Sequence, residues 1–266
     1  MGAHARPVFG EKLKAWRLHR RRSQLDFALD AEISQKHLSF METGRSAPSR
    51  EMVLHLAEQL AVPLRERNIL LVSAGYAPVF SERSLDDPAL AEARRAVDLV
   101  ITGHEPYPAL AVDRHWTLVV ANRAVAPLLV GVDPALLQPP VNVLRLSLHP
   151  SGLAPRIANL AEWRGHLLAR LRQQIDLTAD PVLASLMAEL AALPAPREAS
   201  GQRPGYGGVV VPLQLATATG VLNLFSTTTV FGTPVDITLS ELAVEAFYPA
   251  DAATAAVLRA ALEGSS

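Results

Sequence analysis

Apolar residues recur along this chain with two different periods, and the change falls about a third of the way in. Up to about residue 75 they return every three or four positions, the spacing of one helix face. Phe9, Leu13 and Trp16 form the first set, Leu25, Ala28 and Leu29 the second, and Leu38 and Met41 the third. Val53, Leu56, Ala57 and Leu60 form a fourth, and a fifth helix runs from about Leu64 to Ala74. Ser23, Ser34 and Ser49 stand where N-caps belong, and Gly44 and Gly75 where helices stop. Five short helices are predicted, with Leu25, Ala28 and Leu29 all facing the core.

From Tyr76 to Pro88 the pattern lapses into short polar and proline-containing stretches, which reads as a tether. Asp87-Pro88 then starts a helix carrying Leu90, Ala93, Val97 and Val100. Beyond Gly103 the period shortens to that of strands. Tyr107 to Val112 and Trp116 to Ala121 flank Asp113-Arg114-His115 as a hairpin, and Asn122 caps a short helix. Leu160 to Leu177 and a segment opened by Asp180-Pro181 read as helices. Gly207 to Leu215, Val221 to Val230 and Val235 to Phe247 read as strands, before a last helix capped by Asp251. The expected architecture is an all-α N-terminal domain over 1–76, a linker over 77–88 and an α+β domain over 89–266. In the latter, helices gather on one face of an antiparallel sheet.

The segment Ser23 to Arg50 has a distinctive polar face. At about 100° per residue, Gln35, Lys36, Ser39 and Phe40 share one arc of the third helix, while Leu38 and Met41 lie opposite. An amide, an ammonium, a hydroxyl and an aromatic ring on one exposed arc suit base edges. Gln pairs with adenine, Lys with guanine, and a ring can cover a thymine methyl. The run Ser23-Gln24, Ala28, Ser34-Gln35, Leu38, Glu42-x-Gly44-Arg45 and Pro48-Ser49 resembles the Cro/C1-type, or Xre, helix-turn-helix. That resemblance implies that Gln35, Lys36, Ser39 and Phe40 face bases, and that Gln24, Ser34, Arg45 and Arg50 face phosphates. Glu32 departs from the family, which has Gly in this turn, and a positive φ there carries a cost. The expected partner is double-stranded DNA, bound as a homodimer on a pseudo-palindromic operator.

Charge sharpens this division. Residues 1–80 hold 12 Lys+Arg against 8 Asp+Glu, a balance of +4, and the remainder 13 against 18, or −5, giving the chain's −1. Arg20-Arg21-Arg22, just before Ser23, is expected to place three cations beside the DNA backbone. There is no cysteine among the 266 residues, which excludes disulfides and thiolate metal sites. No apolar run is long enough to span a bilayer, and no apolar signal-peptide core opens the chain, so a cytoplasmic protein with no membrane partner is expected.

The second half also resembles a known family. Glu105-Pro106-Tyr107-Pro108-Ala109-Leu110, Asn142-Val143-Leu144-Arg145, His149-Pro150, Glu162-Trp163, Phe231-Gly232-Thr233-Pro234 and Phe247-Tyr248-Pro249-Ala250-Asp251 are similar to the ligand-binding domain of MmyB-like transcription regulators. The resemblance implies a PAS-like fold, a five-stranded sheet over a pocket for small apolar, fatty-acid-like molecules. Trp163 lies on a helical stripe, and Arg145, His149 and His166 are the cationic or titratable groups nearest it, the candidates to meet a ligand carboxylate. The eight histidines show no His-x-x-x-His pair, and there is no Gly-x-Ser-x-Gly. Gly205-Tyr206-Gly207-Gly208 precedes a strand rather than a helix. The chain is therefore expected to be no enzyme and to need no cofactor or metal. The leading expectation is a transcription regulator whose DNA affinity follows ligand occupancy. The alternative is a ligand-independent repressor or antitoxin whose second domain serves dimerisation or protein interaction.

Overall fold

The computed structural model describes residues 6–194, 211–231 and 236–263. Its chain divides into two compact units. One comprises residues 1–82 with 174–179 and 235–237, and the other the remainder.

The first unit contains α1 (Arg6–His19), α2 (Gln24–Asp30), α3 (Gln35–Glu42), α4 (Arg50–Gln59) and α5 (Leu64–Ser73). Serine caps set three of the starts, since the hydroxyls of Ser23, Ser34 and Ser49 accept from the amides of Asp26, His37 and Met52. One core gathers Phe9, Leu13, Trp16, Phe27, Leu38, Met41, Leu56 and Leu71. Each such large side chain contributes about 1.5–3 kcal/mol by leaving water. Gly10 lets α1 approach the end of α3, because a Cβ there would lie 2.4 Å from the Glu42 carbonyl oxygen.

α2 corrects one expectation. Leu25 and Leu29 are 62% and 76% exposed, and Phe27 and Ala28 fill the core instead. The helix spans only seven residues, and the side that meets α3 carries Phe27, Ala28 and, just beyond, Ala31. Leu25 and Leu29, four apart, share the opposite side. The turn into α3 takes Glu32 to φ 53°, the left-handed conformation expected where the family has glycine.

The second unit is α+β. After α6 (Ala91–Thr102) come β1 (Ala109–Val112), β2 (Leu118–Ala121), α7 (Val143–Leu148), α8 (Leu160–Thr178) and α9 (Pro181–Ala192). Then follow β3 (Leu213–Thr217), β4 (Gly220–Val230), α10 (Ile237–Ser240), β5 (Ala243–Pro249) and α11 (Ala252–Glu263). The sheet is antiparallel with order β2-β1-β5-β4-β3, the expected PAS-like five-stranded arrangement.

Helices cover both faces of that sheet, where one was expected. Val97 and Ile101 of α6 pack with Ala109, Ala111 and Val244. Leu110 and Glu245, which pair across β1 and β5 in the alternate register, point to the other face. Three further differences have local causes. The expected strand over 235–247 breaks into α10 and β5: at its start the backbone pairs with Ser81 instead of the sheet, Asp236 bridging it and the Ile237 amide donating to the Ser81 carbonyl at 2.8 Å. A short 3-10 helix, Arg123–Leu129, follows Asn122 as expected, but the Asn122 side chain does not cap it. That side chain is buried, its Oδ1 accepts from the Ala109 amide, and its Nδ2 donates to the Ile101 and Tyr107 carbonyls. Finally, Val143–Leu148 is a helix capped by Asn142, whose Oδ1 accepts from the Leu144 and Arg145 amides. The start of the strand expected from Gly207, the Gly205-Tyr206-Gly207-Gly208 loop and the turn Gly232-Thr233-Pro234 lie outside the described residues. Among the described residues no helix is long and apolar enough to cross a membrane.

Candidate functional site: recognition helix and apolar cavity

On α3, Leu38 and Met41 face inward with Glu42, and the other polar residues face outward. Gln35 and Lys36 are exposed, and Ser39 and Phe40 half-buried. The Phe40 ring carries the Lys36 Nζ 5.6 Å from its centroid and the Arg45 guanidinium carbon at 5.8 Å. Two cations on one ring narrow its rotamer freedom and present positive charge with an apolar edge. Ser34, the cap, and Arg50, the first residue of α4, are also exposed.

Behind this surface stands a buried ion pair. Arg17 on α1 donates from Nε to Glu42 Oε1 at 2.6 Å and from Nη2 to Oε2 at 3.0 Å. The Gln24 side-chain amide donates to Glu42 Oε2 at 2.7 Å, and Arg17 Nη1 to the Arg22 carbonyl at 2.7 Å. α1, α2 and α3 are thereby cross-linked by charge-assisted bonds behind the outer face of α3.

In the second unit, α7, α8 and the chain over 125–129 stand off the sheet and border a partly open cavity of about 100 Å³. Leu110, Leu118, Leu144, Leu167, Leu215 and Phe247 give it an apolar wall. Arg170 and Glu245 add a polar cluster to its lining. Arg170 Nη2 donates to Glu245 Oε1 at 2.6 Å and to Thr228 Oγ1 at 2.8 Å, and its Nη1 to Glu245 Oε2 at 3.2 Å. The guanidinium carbon lies 4.9 Å from the Trp116 ring centroid. Trp163 Nε1 donates to Ser147 Oγ at 3.0 Å, which leaves that hydroxyl's proton available to another acceptor.

The segments that carry these two features, an outward polar arc and an apolar cavity, each match a family model. A helix-turn-helix model matches residues 13–67. The model of the MmyB-like transcription regulator ligand binding domain matches residues 93–261, well over half the chain. The chain belongs to the MmyB-like transcription regulators. No curated protein matches it. This MmyB-like protein is thus a DNA-binding transcription regulator with a ligand-binding domain.

Within the MmyB-like chain, the residues expected at the two sites have different fates. Ser34, Gln35, Lys36, Ser39, Phe40 and Arg45 lie on or just beside α3, away from Leu38 and Met41, and Arg50 is exposed at the start of α4. Gln24 is half-buried, with its amide committed to Glu42. The triple-arginine run does not present three cations. Arg20 lies over Trp16 and donates to the Leu60 and Ala61 carbonyls at 2.8 and 2.9 Å, and Arg22 pairs with Asp30 at 3.1 Å. Those contacts place Arg20 at the C-terminal end of α4, where peptide dipoles favour a cation.

Of the ligand candidates, Trp163 lines the cavity, and Arg145, His149 and His166 do not. Arg145 forms a bidentate pair with Glu189 at 2.6 and 2.7 Å, which raises the arginine's pKa and lowers that of the carboxylate. His149 caps α7, with its Nδ1 accepting from the Ser151 amide. His166 lies against the Trp163 ring, and burial, followed by the charge of Arg170, lowers its pKa.

The MmyB-like cavity's charged residues are Arg170 and Glu245, which sequence reasoning passed over. A signal existed for each. Arg170 falls on the stripe Trp163, Leu167, Arg170, Leu171 at i, i+4, i+7, i+8, and Glu245 interrupts the buried run Val244 to Ala246.

Proposed function

We propose that this regulator binds a specific operator through α3 as a homodimer, and that occupancy of its apolar cavity by a small apolar ligand sets operator affinity. The observation carrying the reading is the partly open cavity itself, apolar over most of its wall and lined also by Arg170, Glu245 and Ser147. Ligand sites have this character: a hydrophobic lining gives affinity, and a few polar groups orient the ligand. On the DNA side, Gln35 and Lys36 reach base edges, and Arg45, Arg50 and Ser34 meet phosphates. A homodimer reads two half-sites about 34–36 Å apart or a multiple of that.

Regulation needs a route between the halves, and the proposed linker over 77–88 supplies one. Its beginning is not slack. Asn68 on α5 accepts from the Val79 and Phe80 amides through Oδ1, at 2.9 and 3.1 Å, and donates to the Phe80 carbonyl at 2.7 Å. Arg65 pairs with Glu82 at 2.5 Å. A chain strapped to the DNA-binding helices this far along passes on displacement better than a flexible tether. The ligand must also bind the DNA-competent and incompetent arrangements with different affinity.

The test titrates hexanoate to hexadecanoate, and the matching alcohols, into the full chain on its operator at fixed salt. Tryptophan fluorescence reports occupancy, and anisotropy of labelled DNA reports affinity. The reading expects at least one occupying molecule to change affinity about fivefold or more. Full occupancy with unchanged affinity throughout the series would sink it.

A further inference from the structure

Among the described residues lining the cavity, Arg170 and Glu245 are the ionisable ones, and they face each other. We propose that the cavity selects an uncharged apolar molecule bearing one hydroxyl or carbonyl, and rejects the corresponding carboxylate. This rests on the ligand-regulated reading above and specifies the chemistry of its ligand.

The polar cluster of the cavity is already electrically balanced. Both carboxylate oxygens of Glu245 take guanidinium N–H groups, and Thr228 Oγ1 accepts from Arg170 Nη2 while donating to Glu245 Oε1 at 2.8 Å. A ligand carboxylate entering here meets an arginine whose attraction is offset by the glutamate beside it. To take the arginine for itself, it must leave Glu245, only 5% exposed in its side chain, as an unpaired buried charge. Otherwise it loses its own hydration with no full compensation. Two carboxylates in one such site do not both stay ionised.

A neutral oxygen escapes both penalties. It can accept from N–H groups of Arg170 not directed at Glu245 or Thr228, or from the Ser147 hydroxyl, while an alcohol's proton can go to a Glu245 lone pair. The remaining wall is leucine, valine, phenylalanine and tryptophan, which rewards an apolar body. At about 100 Å³ the space is near the ~150 Å³ at which a dry protein cavity takes up benzene. A single ring or a short chain is therefore the body that fits with least rearrangement.

The experiment uses the full chain at neutral pH and two matched pairs, benzyl alcohol with benzoate and hexan-1-ol with hexanoate, titrated calorimetrically. Each alcohol is expected to bind at least about tenfold more tightly than its acid, a ratio worth ~1.4 kcal/mol. In Glu245→Gln, which leaves Arg170 an uncompensated cation, the acids should gain about tenfold and the alcohols change less than about threefold. Acids binding as well as alcohols in the unaltered protein, or no binding by either alcohol, overturns the proposal. So does a folded Glu245→Gln that keeps the original discrimination. The unaltered protein alone decides the first two outcomes, so they do not depend on the variant folding. Operator affinity measured alongside separates the two claims. An alcohol that binds selectively without moving operator affinity upholds this selectivity and removes the regulatory reading, whereas an acid that binds best and moves it does the reverse.

Discussion

Each half of the molecule holds an arginine–glutamate pair against its core, in opposite settings. Arg17 and Glu42 have side chains 6% and 1% exposed, and the amide of Gln24 completes their hydrogen bonding. Arg170 and Glu245 are 23% and 5% exposed and border a cavity. The first pair ties three helices behind a polar outer surface. The second borders an apolar cavity. On the proposed reading, a closed core behind a polar surface makes a rigid reader, and a cavity with a neutralised polar cluster makes a receptor.

Removing one partner from each pair should separate these roles most sharply. Glu42→Ala leaves Arg17 charged and enclosed, and should cost about 3–5 kcal/mol of stability in the helical domain. Glu245→Ala leaves Arg170 beside a cavity that water can enter, and should cost about 1–3 kcal/mol. Urea unfolding followed domain by domain through hydrogen exchange measures both. Equal losses would mean that the second pair is as structural as the first.

Adding volume probes the same contrast. Leu38→Phe overfills a packed core, and an expected loss of about 1–3 kcal/mol should appear in the same unfolding curves. Leu215→Phe extends into the cavity and should cost less than about 1 kcal/mol while competing with hexan-1-ol. A large loss there would show the cavity to be too rigid to admit a ligand.

On the outward surface, Gln35→Ala should weaken operator binding by about 1–3 kcal/mol and barely affect random DNA, by anisotropy at one salt concentration. An equal loss on both kinds of DNA would make α3 a phosphate-binding element.

The smallest effect is one of pH. Burial against Trp163 and the charge of Arg170 lower the His166 pKa from an ordinary value near 6.5, although Glu245 and Glu162 pull it upward. The unfolded chain therefore takes up the proton first. The contribution of His166 to stability is full above about 6.5 and is lost as pH falls toward the lowered value. His166→Gln should flatten the acid side of the stability profile of the second domain over that window. An unchanged slope would place the titration elsewhere.

Periodicity revealed most of the helical domain because short capped helices announce both their ends and their faces. It misassigned Leu25 and Leu29, since in a seven-residue helix the choice of buried side rests on which neighbour it meets. The sheet was legible in its strands, and less so at 235–247, where α10 interrupts a run that reads as extended. The ligand site was the least legible. Arg145 and His149 are close to the Trp163 stripe in reading order, but their side chains serve an ion pair with Glu189 and a helix end. Arg170 and Glu245 lie 75 positions apart, and the pairing of β5 between β1 and β4 brings the strand that carries Glu245 under α8.

The central claim, that cavity occupancy sets operator affinity, is tested most directly by measuring operator affinity of the full chain as hexan-1-ol fills the cavity. Tryptophan fluorescence from the Trp116 and Trp163 lining reports occupancy in the same cuvette. The account predicts that affinity changes in step with occupancy and reaches a plateau when the cavity is full, and that Leu215→Phe abolishes both responses together. A cavity that fills to saturation while operator affinity stays constant would contradict it.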